Sequence, residues 1–471
     1  MTTRWTEQVA EFGAGISVSG IPGDVIDAAV RPIIDTLGVM TAGLRSDAGA
    51  TALRYASQEA SGAGRGHIVG VDLDVPAETA ALVNSTMGHA LDYDDEMPLG
   101  GGHPSSLILG AILALPRDEP LTGPELLQAY IAGHEVAAWM AKALGPLHYR
   151  KGWHLSTIAG TFGATVAASR VLGLDAGQVR TALGAAASMA SGLQRNFGTM
   201  TKPLHSGLAA RNGVLAAQLA KYGLTAATDV LDGPKGFFDM LGEGGSTPEE
   251  LANLGVQWAL VNPGTSLKKY PCCYATHRST DAMLEIQAAH DFKAAEVETI
   301  QVSVPVGAMA ALIYPHPTTG LQGKFSMEYT LAAAFLDRDL RLDTFTEEAV
   351  ARPDIAAVMA KVITKEEPRC RPEDPENKFG RAGSGGFVEV AVQAGATRAV
   401  AAVAHPSGSA VKPMSWDDME SKFTDCLRYG GIPDAQVAHA AFARLRALPG
   451  ETDVHGVLSD LARAGSEPEQ S

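Results

Sequence analysis

The sequence predicts a mostly α protein with a large all-helical domain and a smaller α+β domain. Three observations carry this. Apolar residues recur at helical spacing through most of the chain before about residue 265. Strict alternation then appears, with Ile300, Val302 and Val304 separated by polar neighbours, which is the period of a half-buried strand. Helical spacing returns with "WDDMESKFTDCLRYGG". The expected boundaries are 1–267 for the first helical part, 268–410 for the α+β part, and 411–471 for a helical segment that rejoins the first.

In the first part, "PGDVIDAAVRPIIDTLGVMTAGL" places Val25, Ala28, Ile33 and Leu37 at near-helical spacing. "TGPELLQAYIAGHEVAAWMAKALG" has Thr122 as N-cap, Pro124 in the first turn and Leu127, Ile131 and Ala138 on one stripe. "STIAGTFGATVAASRVLG" sets Ile158, Phe162 and Val166 four apart. In the second part, "VETIQVSVPVG" reads as a strand, and "GGFVEVAVQAGATRAVAAVAHPSG" as two strands turning at Gly395. "FSMEYTLAAAFLD" between them reads as a helix. The closing "AGSEPEQS" is a polar tail expected to fray.

Hydrophobic residues make up 46% of the 471-residue chain and charged residues 19%, enough apolar material for large cores and unlike a disordered protein. Aromatics are few and alanine and glycine abundant, which permits close helix crossings. The net charge of −16 argues against nucleic acid and anionic membrane as partners, but not against a small acid held in a local cationic pocket. The four cysteines form no disulfide framework, so a reduced, cytoplasmic protein is expected. The opening "MTTRWTEQVAEFGAGIS" has no apolar core of a signal peptide, and the run Leu107 to Leu115 is too short to cross a bilayer.

Four titratable side chains share one context. His103 precedes "PSSLILGAILAL", His154 precedes "LSTIAG", Lys202 precedes "PLHSGLAARNG", and His277 precedes "RSTDAMLEIQAAH". Each stands at the start of an expected helix, where unpaired N–H groups favour anions and disfavour a protonated imidazole. Neutral histidines there would serve as bases, and convergence of several such ends would bind a polycarboxylate. Taken singly, each is ordinary capping chemistry. Asp92, Asp94 and Asp95 read as turn caps, Cys272 and Cys273 as packed thiols, and His89, His134 and His205 as structural residues. No Walker sequence and no strand-linked dinucleotide turn is present, and "GRAGSGGFVEV" leads into a strand. His89, the Asp92–Asp95 cluster and His103 have no defensible metal-ligand spacing, so neither a metal nor a cofactor is expected.

Five stretches together resemble the MmgE/PrpD family: "HALDYDDEMPLGGGHPSS", "GWHLSTIAGTFGATVAASRVLGLD", "FGTMTKPLHSGLAARNGVLAA", "KKYPCCYATH" and "GLQGKFSMEYTLAAA". They occur in family order across roughly residues 5 to 450. The family includes 2-methylcitrate dehydratase, cis-aconitate decarboxylase and iminodisuccinate epimerase. The resemblance implies a large helical domain, an α+β lid domain, no cofactor, a homodimer, and a site in the cleft between the domains. It places the site at Asp92, His103, His154, Lys202 and His277. Lys268 stands just ahead of the "YPCCYATH" match as a further carboxylate ligand, and Tyr314 is another candidate.

Two departures bear on substrate. Glu96 stands where relatives often carry threonine, adding negative charge beside a carboxylate site or favouring a substrate with an amine. "MPLGGG" replaces the tryptophan-containing segment associated with methylcitrate dehydratases. The expected chemistry is proton transfer next to a carboxylate of a small di- or tricarboxylate, with Lys202 and Lys268 stabilising an enediolate-like dianion and His103 and His154 as acid and base. His277 would orient the substrate or complete the acid–base pair. Loss of water or CO2 makes a lyase, the reading placed first; return of the proton to the opposite face makes an epimerase of an amino- or imino-dicarboxylate. A metal-dependent hydrolase and a non-catalytic carboxylate-binding protein are the alternatives from other classes.

Overall fold

The computed structural model describes residues 4–60, 65–242, 244–374 and 386–466. The chain forms two compact units. One gathers Met1–Asn196, Met200–Leu267 and Ser415–Ser471, the other Phe197–Thr199 and Lys268–Met414. The fold is mostly α, with a four-stranded sheet in the second unit and a two-stranded hairpin in the first.

The first unit contains α1 (Trp5–Gly15), α2 (Gly23–Gly43), α3 (Asp47–Glu59), the hairpin β1 (Gly66–Ile68) and β2 (Val71–Val75), α4 (Ala77–Ala90), α5 (Pro104–Ala114), α6 (Gly123–Leu144), α7 (Leu147–Arg150), α8 (Leu155–Val171), α9 (Ala176–Ala187), α10 (Thr201–Lys221) and α11 (Phe237–Gly242). Thr122 caps α6 through a reciprocal box with Glu125, as its sequence predicts. Every residue of α5 is buried, the expected fate of a helix apolar all round. Helices α4, α5, α8 and α10 pack against one another at the centre.

Small residues set these crossings. A Cβ on Gly207 of α10 would stand 2.2 Å from Thr86 Oγ1 and 2.5 Å from the Leu82 carbonyl oxygen of α4, so only glycine allows this approach. Beside it the buried Ser206 hydroxyl bonds Ser85 of α4 at 2.9 Å and Ser106 of α5 at 3.1 Å. Three hydroxyls that both donate and accept thus pin three helices to one register.

The C-terminal helices α17 (Trp416–Tyr429), α18 (Ala435–Arg446) and α19 (Val454–Ser466) cluster with this unit. Lys422 of α17 pairs with Asp35 of α2 at 2.7 Å, donates to the Tyr93 carbonyl at 2.9 Å and lies 3.8 Å over the Tyr93 ring. One buried cation therefore ties the end of the chain to a helix of the first half and to the loop after α4.

The second unit contains α12 (His277–His290), β3 (Val297–Val304), α13 (Gly320–Gly323), α14 (Met327–Asp337), α15 (Glu347–Val350), α16 (Pro353–Met359), β4 (Val362–Glu366), β5 (Val388–Ala394) and β6 (Thr397–Val403). The sheet order is β4-β3-β5-β6, parallel between β3 and β4 and antiparallel elsewhere. Ile300 pairs with Val392 and Val302 with Val390. Together with Val304 and Val388 they form the buried face, joined in one core by Met283 and Ile286 of α12 and Leu331 and Phe335 of α14.

The structure corrects the sequence reading in four places. β1, β2 and β4 were not expected; β4 is the charged segment "VITKE", whose partly exposed edge position hides its alternation. Phe197–Thr199 leave the helical part and cluster with the second unit, because Gly198 packs on the Tyr314 ring. The second unit runs on to Met414 rather than ending at 410. Helix α19 continues through Ser466 into the expected tail, whose remainder, 467–471, lies outside the described residues, as do residues 380–385 of "GRAGSGGFVEV".

Replacing Lys422 with Ala leaves Asp35 as an uncompensated buried charge and should cost about 3–5 kcal/mol. Replacing Lys422 by Met and Asp35 by Leu together should recover most of it. Denaturant unfolding of both variants checks this, and a Lys422→Ala protein as stable as the parent would contradict it.

Candidate active site

The loop from Leu91 to His103 builds most of the site. Met97 N–H donates to the Gly102 carbonyl at 2.8 Å and closes it, while Glu96 pairs through its backbone with Ser266 at 2.7 and 2.8 Å. Gly100, Gly101 and Gly102 all take positive φ (82°, 90° and 107°), and a Cβ on Gly100 would stand 2.7 Å from Ala141. The glycine triplet is thus required by conformation and by close approach. Asp92 adopts φ 51°, a left-handed conformation that Asp tolerates better than most residues.

The four residues singled out by sequence do stand at helix starts. His103 is the N-cap of α5, His154 the N-cap of α8, Lys202 the second residue of α10 and His277 the first of α12. The three aspartates are not surface caps. All are buried, and each has a separate partner: Asp92 takes the Lys202 ammonium at 2.5 Å, Asp94 takes His89 Nδ1 at 2.9 Å, and Asp95 takes the Ser105 N–H at 3.2 Å and its hydroxyl at 2.6 Å. Asp95 therefore satisfies the N-terminus of α5 from outside the helix, so a protein carboxyl already meets the donor that sequence reasoning reserved for a ligand. Burial, with Asp94 beside it, raises the Asp95 pKa against the lowering effect of Ser105.

Four imidazoles gather around Lys202 in the first unit. The His89 ring lies 4.9 Å from that of His103 and 6.1 Å from that of His154, nearly parallel to the latter. His154 Nδ1 meets His205 Nδ1 at 3.2 Å, so one of the two must carry a proton and the other accept. His103 Nδ1 lies 2.7 Å from the Asp95 carbonyl, which only accepts. Nδ1 must therefore carry the hydrogen, and the ring lone pair lies on Nε2. His89 and His205 had been read as structural; neither precedes a helix, and only the crossing of α4 and α10 brings them in.

Burial lowers the pKa of His154 well below its ordinary value, reinforced by Lys202, His89, His205 and His103. His205 falls to about 4 by burial, with His89 and Lys202 adding to it. His89, His154 and His205 are accordingly favoured in their neutral forms beside one cation. One ligand atom each of His89, Asp92 and His103 lie within 4.8 Å of one another, the set weighed from sequence as a metal group without a matching motif, and it has the reach of a divalent ion. The Lys202 ammonium already occupies the Asp92 carboxylate, and a second cation there would face it directly. The arrangement suits an anion and a mobile proton better.

Glu96, half-buried, follows Asp95 in the same loop. Lys268, His277 and Tyr314 belong to the second unit. Lys268 is fully buried. His277 is buried between the Tyr270 and Tyr274 rings, with Nε2 3.3 Å from the Cys272 carbonyl. Tyr314 donates to the Phe197 carbonyl at 2.9 Å. Lys324, which sequence reasoning did not assign, is buried and donates to the Pro271 carbonyl at 2.6 Å, bracing the "YPCCYATH" stretch. His134 bonds Thr265 at 3.2 Å, packs on Tyr130 and is depressed to about 3 by burial.

The MmgE/PrpD N-terminal domain matches residues 7–250 and the MmgE/PrpD C-terminal domain residues 270–446. The chain belongs to the MmgE/PrpD family. Its similar proteins include the cis-aconitate decarboxylase of Homo sapiens, 30% identical over 368 residues covering 76% of each chain. The Mus musculus enzyme of that name is 29% identical over 77% of this chain and 76% of its own, and the Aspergillus terreus one 27% identical over 77% and 78%. Family and relatives make this protein an enzyme of the lyase class. No helix among the described residues is long and apolar enough to cross a membrane.

A histidine held neutral in the native state takes up a proton only on unfolding. His205, at about 4 against an ordinary 6.5, should therefore make the protein lose stability as pH falls from about 6.5 to about 4. In His205→Gln that part of the slope should be missing. Thermal melts of both proteins across this window decide it, and parallel curves would refute the assignment.

Proposed function

We propose that this protein is a cofactor-independent decarboxylase of a small unsaturated polycarboxylate such as cis-aconitate. The observation that carries the reading is the buried Lys202 ammonium, held by Asp92 among neutral imidazoles. When a carboxylate leaves as CO2, the electrons of the broken C–C bond remain on the substrate, next to a second carboxylate. A fixed cation in a low-dielectric site stabilises that enediolate-like charge. The carbanion then needs one proton, which His103 or His154 delivers after the site takes one up with the negatively charged substrate, and the net reaction consumes one proton per CO2 released.

Lys202 also supplies what a Lewis-acid metal would, since its charge sits on the same carboxylate that a metal would need. Activity is therefore expected to survive a strong chelator. The roles of Lys268, His277 and Tyr314 rest on the matched motifs: carboxylate binding for Lys268 and Tyr314, acid–base or orienting work for His277. A homodimer, in line with the resemblance, is the proposed assembly, and light scattering at micromolar concentration reads it.

One observation favours a second reading. Glu96 adds a carboxylate directly beside Asp95. A substrate bearing a cationic nitrogen would meet it favourably, which suits an epimerase of an amino- or imino-dicarboxylate. In that case the proton returns to the opposite face and no CO2 appears.

His103→Ala should lower kcat by about two to four orders of magnitude, the usual worth of one positioned acid or base. Lys202→Met should lower kcat and raise KM together, because the cation meets both the bound substrate and the transition state. CO2 release from cis-aconitate measures both. A fully active His103→Ala protein would end the acid–base assignment, and release of no CO2 by the parent would favour the epimerase.

A further inference from the structure

His89 has an environment that a structural histidine does not need. It lies in the last turn of α4 and is 1% exposed. Its Nδ1 meets both oxygens of the buried Asp94, at 2.9 and 3.0 Å. A carboxylate only accepts, so Nδ1 carries the hydrogen and Nε2 the lone pair. That Nε2 is buried and has no hydrogen-bond partner among the described residues. A buried polar atom left open in this way calls for an explanation, and an atom kept free for a proton is one. The ring also lies beside those of both acid–base candidates, with centroids 4.9 Å from His103 and 6.1 Å from His154.

We propose that His89, locked by Asp94, is the proton-relay and positioning residue of this site: it takes a proton at Nε2 and passes it to the imidazole that protonates the substrate carbon. The inference rests on the decarboxylase reading and adds the source of the proton that reading consumes. The balance is simple. With the polycarboxylate bound, one proton enters the set and rests on His89 at Nε2. Loss of CO2 leaves one electron pair on carbon; the His89 imidazolium gives its Nε2 proton to neutral His103 or His154, which delivers it to that carbon, and every imidazole is neutral again until solvent supplies the next proton. Asp94 balances the positive charge while it resides on His89, as a buried carboxylate stabilises an imidazolium elsewhere. His103, half-buried where His89 and His154 are buried, is the member of the set nearest to solvent.

The charges around His89 fit a transient rather than a permanent cation. Burial lowers its pKa most; Asp94 raises it, Lys202 lowers it and Asp92 raises it, with a net lowering. The neutral ring is thus the favoured resting form.

Two variants and one spectrum test this. His89→Gln keeps a polar side chain of similar reach that cannot carry a proton. Asp94→Asn keeps the shape but offers an N–H to Nδ1, which drives His89 to the Nε2–H tautomer. With cis-aconitate as substrate, both should lower kcat at least tenfold, leave KM within about threefold and raise the solvent deuterium isotope effect on kcat, while melting within a few degrees of the parent. Nitrogen-15 spectra of ring-labelled protein should show His89 as the Nδ1–H tautomer in the parent and Nε2–H in Asp94→Asn. If both variants fold and keep the parent kcat and isotope effect while His103→Ala is inactive, the relay is wrong and the decarboxylase reading stands. If the parent turns over no cis-aconitate, the decarboxylase reading fails and the tautomer decides the geometry alone: an Nε2–H His89 in the parent overturns the relay.

Discussion

The site depends on a lysine held inside the protein by an aspartate. Lys202 and Asp92 are both buried and meet at 2.5 Å. Removing two charges from water costs several kcal/mol per ion before their attraction is counted, so such a pair needs support on every side. The support is visible. Ser206 and Gly207 fix α10 on α4, the Gly100–Gly102 turn folds the loop back, and Lys422 grips Tyr93 between Asp92 and Asp94. The small residues of this chain are where the framework has been narrowed to hold one cation in place.

That cation explains the state of the histidines. An imidazole buried near an ammonium is disfavoured as a cation by desolvation and by repulsion alike, and His154 and His205 respond to both. Each aspartate of the loop then takes a different task. Asp92 balances the lysine, Asp94 orients His89, and Asp95 closes the helix that starts at His103. Three residues of one short loop therefore fix charge, tautomer and backbone together, so a shift in this loop would alter all three.

Much of this was legible in the sequence, and the limits were physical. Helical and strand periodicity found α2, α6, α8, β3, β5 and β6, because their apolar faces are regular, and α5 stood out as a continuous apolar run. β4 escaped because an edge strand with charged residues carries little alternation. His103, His154 and Lys202 could be picked out because each starts a helix, a local property. His205 could not, because its partner His154 is close only through helix packing, and the His89–Asp94 pair, though five residues apart, depends on the turn the loop takes after α4. The expectation that helix N-termini would themselves await an anion was too simple for α5, where Asp95 fills the place.

The central claim is that this buried cluster moves a proton onto carbon beside a carboxylate. It is tested most directly by following labelled cis-aconitate by NMR in heavy water with catalytic amounts of the protein. The account predicts release of CO2 and a product bearing one deuterium at a carbon of the substrate skeleton, gained in the same event. Turnover that leaves every carbon free of deuterium would contradict it.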